Sequence, residues 1–183
     1  MDAATILAIS GSLREGSYNS ALIRACIAHA PEGMRIEQAD IGSLPLFSED
    51  EEAAFPEEVQ RLKERIRAAD GILVSTPEYN RSIPGVLKNA IDWTSRPYGD
   101  NAWAGKPVCV MGATISGTGT ALAQYDLKKA MLYLDALVIG QPEFYMSAAH
   151  EKFDDAGNLS DEETGAHIRK MLAAFSSFIE RVS

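Results

Sequence analysis

Short apolar runs recur along this chain, each too brief for a helix and each followed by a stretch with helical spacing. The runs are Thr5–Ile9, Met34–Gln38, Gly71–Ser75, Pro107–Met111 and Leu137–Ile139. Continuous β-branched and apolar segments of this length read as strands buried on both faces. The intervening and closing segments Ser20–Ala28, Val59–Ala69, Pro84–Arg96, Thr120–Leu134 and Asp161–Val182 read as helices. Pro56-Glu57-Glu58 opens the second of these well, with a proline and two acids in the first turn. Buried strands alternating with helices predict an α/β fold, a doubly wound parallel sheet of five strands covered on both faces. The 183 residues are expected to form a single domain, 1–183, and the expected strand order is 2-1-3-4-5. Sheets of this kind bind ligands outside the carboxyl ends of their strands, near the point where the order reverses. The loops after strands one, three and four are therefore where chemistry is expected.

The first of these loops is Ser10-Gly11-Ser12-Leu13-Arg14-Glu15-Gly16-Ser17-Tyr18-Asn19-Ser20. Backbone N–H groups at a helix N-terminus point at an anion, and the helix dipole favours negative charge there. The hydroxyls of Ser12, Ser17 and Ser20, the amide of Asn19 and the guanidinium of Arg14 add donors of the kind a phosphate needs. The competing reading is a helix N-cap, but a cap requires one such residue. The loop after strand three, Thr76-Pro77-Glu78-Tyr79-Asn80-Arg81-Ser82-Ile83-Pro84-Gly85, is stiffened by two prolines and carries an aromatic side chain. It reads either as the border of a flat, hydrogen-bonding ring or as an ordinary turn that starts a helix. The loop after strand four, Gly112-Ala113-Thr114-Ile115-Ser116-Gly117-Thr118-Gly119-Thr120, is small and polar and suits close approach of a planar ligand, or is merely a connector. Its glycines do not complete a dinucleotide fingerprint, and no Walker lysine motif is present. A phosphate cradle, a ring-binding turn and a small-residue floor together point to a mononucleotide with a planar head, for which flavin mononucleotide (FMN) fits best.

Charge and composition narrow the alternatives. The net charge is −9 with no lysine-arginine run, so nucleic acid is not an expected partner. No apolar stretch is long enough to cross a bilayer, and the start lacks the basic residues of a secretory signal. Cys26 and Cys109 stand alone in apolar surroundings with no metal or redox spacing, as core thiols in a reducing compartment would. The expectation is a cytoplasmic protein that binds no metal and does not insert into membranes. The acidic run Glu49–Glu52 in the long loop 43–55 reads as solvated surface or as the flank of a site mouth. His29, His150 and His167 lack a partnering cluster and read as surface or interface residues.

Gly11-Ser12-Leu13-Arg14-Glu15-Gly16-Ser17-Tyr18-Asn19, and Thr76-Pro77-Glu78-Tyr79-Asn80 continuing through Ser82-Ile83-Pro84-Gly85 to Trp93, resemble the two signatures of the NAD(P)H-dependent FMN reductase family. The branch resembled most contains bacterial quinone, chromate and azo-compound reductases. The resemblance implies a flavodoxin-like three-layer fold, tightly held FMN, NADPH or NADH as hydride donor, quinones as acceptors, and a homodimer or homotetramer. Residue by residue, it implies that Ser12, Leu13, Arg14, Ser17, Tyr18, Asn19 and Ser20 surround the phosphate and ribityl end. Pro77, Glu78, Tyr79 and Asn80 then border the isoalloxazine through backbone groups, with Ala113 and Thr114 beside it. The last pair departs from the serine-rich loop the family pattern suggests, and Arg81 stands where an aromatic residue is frequent. Arg14 and Arg81 are both candidates to meet the extra phosphate of NADPH. Hydride passes from nicotinamide to flavin N5 and on to the acceptor, so no catalytic side chain is nominated; the hard chemistry is the cofactor's. Trp93 and Trp103 are expected near the mouth of the site, contributed across a dimer. Met111, Tyr125, Tyr133 and Phe144 are expected in the core or at a subunit contact. Two other classes fit the same architecture: a flavodoxin-type electron carrier without nicotinamide turnover, and a non-catalytic domain without flavin.

Overall fold

The computed structural model describes residues 3–182. Its strands are β1 (Ala4–Ser10), β2 (Met34–Ala39), β3 (Gly71–Ser75), β4 (Pro107–Ala113), β5 (Leu137–Val138) and β6 (Phe144–Met146), and its helices α1 (Tyr18–Ala28), α2 (Glu57–Ala68), α3 (Gly85–Thr94), α4 (Ala121–Tyr133) and α5 (Glu162–Val182). All strands pair in parallel, in the order β2-β1-β3-β4-β5, with β6 also paired to β4.

The period of two along each strand builds the layers. Ile6 and Ala8, Leu73, and Cys109, Met111 and Ala113 face one side, where they pack with α1 and with Ile168, Met171, Leu172, Phe175 and Ile179 of α5. Leu7 and Ile9, Ile72 and Val74, and Val108 and Val110 face the other, against α2, α3 and α4. Burying each large apolar side chain of this kind contributes roughly 1.5–3 kcal/mol relative to exposure, which is what holds the helices on both faces. The three-layer α/β fold and the strand order are as the sequence predicts.

The fifth position of the sheet differs in detail. The expected strand Leu137–Ile139 ends at Val138, and the ladder resumes at Phe144, where β6 pairs with Met111–Ala113. Gly140-Gln141-Pro142 lies between, and a proline cannot donate to a ladder. The loop 43–55 contains a 3-10 turn, Glu49–Ala54, capped by Ser48, whose hydroxyl accepts from the Asp50 N–H at 3.3 Å. Asp50 and Glu51 are solvated surface, but the other two acids of the run have a partner. Glu49 and Glu52 both pair with Arg96, the latter at 3.4 Å, and so tie the loop to the end of α3.

Trp93 and Trp103 do not stand at any site mouth. Both are fully buried, with Trp93 Nε1 donating to the Pro45 carbonyl and Trp103 Nε1 to the Thr94 hydroxyl, each at 2.8 Å. Phe47 and Phe55 meet the Trp93 ring edge-on. An indole whose N–H has found an acceptor is a core anchor, and these two are. Met111 and Phe144 are core, whereas Tyr125 and Tyr133 are exposed.

Candidate functional site

At the carboxyl edge of the sheet, the ends of β1, β3 and β4 are drawn together. The Gly11 N–H donates to the Ser75 carbonyl at 2.8 Å and the Thr76 N–H to the Met111 carbonyl at 2.9 Å, so the three strands enter their loops in register. Gly112 makes the closest approach. A Cβ there would lie 2.0 Å from Thr120 Oγ1 and 2.4 Å from the Thr76 carbonyl oxygen, so only glycine fits.

One side chain sits at the centre of this convergence. Asn19 is buried, and its Nδ2 donates to the Ala113 carbonyl at 3.0 Å while its Oδ1 accepts from the Ala113 N–H at 3.0 Å and the Ser75 hydroxyl at 2.9 Å. It joins the start of α1 to the ends of β3 and β4, across 94 residues of sequence in the case of Ala113. The loop after β1 is tied down similarly. Ser17 caps α1, its Oγ accepting from the Asn19 and Ser20 N–H groups at 3.2 and 3.3 Å, and the Ser20 hydroxyl bonds that of Ser10 at 3.0 Å. What remains open is the Ser17 O–H proton, the Ser12 hydroxyl, the Arg14 guanidinium over the Tyr18 ring, and the N–H groups of Arg14, Glu15, Gly16 and Tyr18, which find no acceptor among the described residues.

The loop after β3 is shaped by a tight turn. Tyr79 and Ser82 exchange backbone hydrogen bonds at 3.1 and 3.0 Å, and Asn80 and Arg81 between them have φ of 52° and 65°. Positive φ at both central positions is what a type I′ turn requires, and it is costly outside glycine and asparagine. Glu78 holds this turn in place from below. Its Oε2 accepts from the Leu122 and Ala123 N–H groups at 3.1 and 3.3 Å, capping α4, whose own N-cap residue Thr120 makes no side-chain cap bond. A carboxylate at a helix N-terminus is favoured by the dipole as well as by these bonds. Both Glu78 oxygens are thus turned to the protein, the second towards Arg81 at 3.5 Å, while the N–H groups of Glu78, Asn80 and Arg81 have no acceptor among the described residues.

Together the loops enclose a cavity of about 520 Å³ lined by Ser12, Arg14, Ser17, Tyr18, Asn19, Pro77, Glu78, Tyr79, Ala113, Thr114, Ile115 and His150. Of the residues expected here, Leu13, Ser20 and Asn80 lie outside this lining. Leu13 borders a separate groove with Asp40 and Ile41, Ser20 faces Ser10, and Asn80 lines an adjoining recess.

His150 and Ile115 are the additions. The Ala149 N–H donates to the Thr114 carbonyl at 3.0 Å, and the Phe153 ring stacks on Tyr18 with centroids 6.0 Å apart, so the segment after β6 is fastened along the cavity wall. The signal for His150 was its place four residues past a strand end, and without β6 in the sequence reading that strand end was invisible. His29 and His167 lie elsewhere, His29 at the end of α1 against Arg169 and His167 against Phe144. Both cysteines are buried, and burial pushes the Cys109 thiol up to about 12 and Cys26 further still. They are inert packing. No group of metal-ligating residues occurs among the described residues, and no helix is long and apolar enough to cross a membrane.

The donor set suits FMN. Hydroxyls, one guanidinium and free N–H groups at a helix start match a phosphate, and a stiff turn with unsatisfied N–H groups beside Tyr79 matches the polar edge of a planar ring.

Comparison with known proteins agrees. The sequence profile described as NADPH-dependent FMN reductase matches residues 4–151. An NAD(P)H-dependent FMN reductase of Pseudomonas aeruginosa is 47% identical over 178 residues, covering 97% of this chain and 96% of that protein. A 2-hydroxy-1,4-benzoquinone reductase of a Burkholderia species is 41% identical over 174 residues, 95% of each chain. Among solved structures, the flavoenzyme NAD(P)H:(acceptor) oxidoreductase FerB of Paracoccus denitrificans superposes with a TM-score of 0.91 at 40% identity, covering 97% of this chain and 98% of its own.

Proposed function

The chain belongs to the NADPH-dependent FMN reductase family, and from that premise we propose that it passes reducing equivalents from NAD(P)H through FMN to quinones, in the cavity at the carboxyl edge of the sheet. Quinones are the acceptor class named for several of its relatives, at 39–41% identity. When bound, the flavin would supply the two-electron redox chemistry between nicotinamide and acceptor. The protein's work is to hold, orient and polarise.

In this reading Ser12, Arg14, the Ser17 hydroxyl and the free N–H groups before α1 bind the phosphate, with Tyr18 alongside the ribityl chain. The main chain of Pro77, Glu78 and Tyr79 borders the ring, with Asn80 just beyond it at the adjoining recess, and Ala113 and Thr114 form its floor. N–H groups aimed at the ring's polar edge stabilise added electron density by the logic of an oxyanion hole. Asn19 and Glu78 act one step back, by locking the loops that do this. The observation that carries the reading is the convergence of three loops with unspent donors on one cavity.

The exposed apolar side chains Leu122, Tyr125, Leu132 and Tyr133 of α4 support a homo-oligomer, and two buried unpaired thiols support a reducing, cytoplasmic setting. Gel filtration with light scattering tests the first. Anaerobic titration with NADPH and NADH followed at the flavin absorbance, then addition of a quinone, tests the function. Bleaching by the nucleotide and recovery by the quinone are expected. FMN that binds but is not reduced by either nucleotide would instead indicate an electron carrier.

A further inference from the structure

A second recess, of about 270 Å³, adjoins the flavin cavity and is lined by Glu78, Asn80, Arg81, Ser116 and Thr118. Glu78 belongs to both walls, so the two spaces border one another at the turn after β3. A chain of hydroxyls runs from one to the other: Thr114 Oγ1 to Ser116 Oγ at 3.3 Å, and Ser116 Oγ to Thr118 Oγ1 at 3.0 Å. Thr114 stands in the flavin cavity and the other two in the recess.

Arg81 is the cation of this recess. Its side chain is 69% exposed and, among the described residues, is tethered only by the 3.5 Å pair with Glu78, whose other oxygen is occupied by the start of α4. An ion pair so exposed contributes little to the fold. Yet the backbone at Arg81 is held at φ 65°, a conformation disfavoured for a residue of its size. A weakly engaged guanidinium on a strained turn, flanked by neutral hydroxyls and opening onto a redox cavity, has the makeup of a phosphate subsite. The overall charge of −9 gives such a group something to do, because a polyanionic nucleotide approaches this protein against the mean field. Arg14, the other arginine of this edge, is engaged over Tyr18 in the flavin cavity itself.

Resting on the function proposed above, we infer that Arg81, with Ser116 and Thr118, receives a phosphate of the dinucleotide hydride donor while its nicotinamide end enters the adjoining cavity. Stopped-flow reduction of the FMN-loaded protein by NADPH and by NADH tests this, in wild type, Arg81→Gln and Arg81→Lys. The apparent Kd of the donor is expected to rise tenfold or more in Arg81→Gln, with the limiting rate of flavin reduction changed far less, partial recovery in Arg81→Lys, and a weaker salt dependence than wild type. A loss confined to NADPH places the 2′-phosphate in the recess, and an equal loss for NADH places the pyrophosphate there; either supports the subsite. FMN content, read by absorbance, shows whether a variant keeps its flavin site. Ser116→Ala with Thr118→Val should raise the same Kd by a smaller factor without touching the turn. Donor Kd values within twofold of wild type in Arg81→Gln overturn the subsite and leave the function standing. A wild-type flavin reduced by neither nucleotide overturns both.

Discussion

Two cavities of nearly equal size mark this molecule, and they are built in opposite ways. The one at the sheet edge, about 520 Å³, is walled by loops. The other, about 460 Å³, lies between the C-terminal parts of α3 and α4 and is lined by side chains including Lys88, Asp92, Arg96, Tyr98 and Tyr133. In the second, the charges answer one another: Lys88 pairs with Asp92 at 2.7 Å and Arg96 with Glu49 and Glu52. In the first, buried side chains such as Asn19 and Glu78 give most of their bonds to the frame, and the frame presents donors that have no partner among the described residues. Volume does not distinguish a site. Unspent hydrogen-bonding capacity on a rigid support does.

The sharpest way to break the contrast is at Gly112. Its replacement by alanine puts a methyl group inside contact distance of the Thr120 side chain and of the Thr76 carbonyl, and the latter, being backbone, cannot yield cheaply. The expected cost is about 3 kcal/mol in urea denaturation, with loss of bound flavin. A variant with wild-type stability would mean the sheet edge is not closely built. Next is Asn19→Ala, which strands the Ala113 N–H, the Ala113 carbonyl and the Ser75 hydroxyl. At about 1–3 kcal/mol for each buried polar group left unpaired, roughly 3 kcal/mol or more should be lost, and flavin content should fall with it.

A third comparison separates frame from ligand contact. Ser17→Ala removes the cap of α1 and should cost about 1 kcal/mol in addition to weakening FMN. Arg14→Ala should weaken FMN by about tenfold, as expected for a charge-assisted contact to phosphate, with almost no effect on melting. Riboflavin, which lacks the phosphate, is the control in both. If its affinity falls as far as that of FMN, Arg14 does not meet the phosphate.

Acid provides a measurement independent of either cavity. Asp161, at the start of α5, accepts from the Thr164 hydroxyl and N–H and pairs with Lys152, and these contacts hold its carboxyl down at about 2. A carboxyl lowered from its unfolded value of about 4 stabilises the fold above that pH, and the stabilisation fades as pH falls from about 4 towards 2. Wild type should therefore out-melt Asp161→Asn at neutral pH and approach it at low pH. The smallest effect is expected at the second cavity. Lys88→Ala breaks an exposed pair four residues apart on α3 and should change stability by about 0.3–0.5 kcal/mol and FMN affinity not at all.

Much of this was legible without coordinates. The strands announced themselves because buried parallel strands must be apolar throughout, and their alternation with amphipathic segments left few topologies open. The polar loops at their ends were equally plain, since glycine, proline and hydroxyl residues in such density serve no apolar core. The sequence reading stopped short at Leu137–Met146, where a proline divides the outer strand, and it consequently missed His150 on the cavity wall. Trp93 and Trp103 were misplaced because an indole suits a site mouth or a core equally well until its N–H finds an acceptor.

Local pattern, then, determined which segments are strands, which edge carries the loops and which residue types those loops offer, because periodicity and backbone preference act between near neighbours in the chain. Tertiary structure decided which of the offered groups remain free. Asn19 is committed to Ala113, 94 residues away, and Glu78 to Leu122, 44 residues away, whereas Arg14 and Arg81 keep their guanidinium groups at the surface. A hydrogen-bonding group has few bonds to give, and whether the fold or a ligand takes them depends on which atoms arrive within 3 Å or so, a matter of three-dimensional proximity that no spacing in the chain encodes.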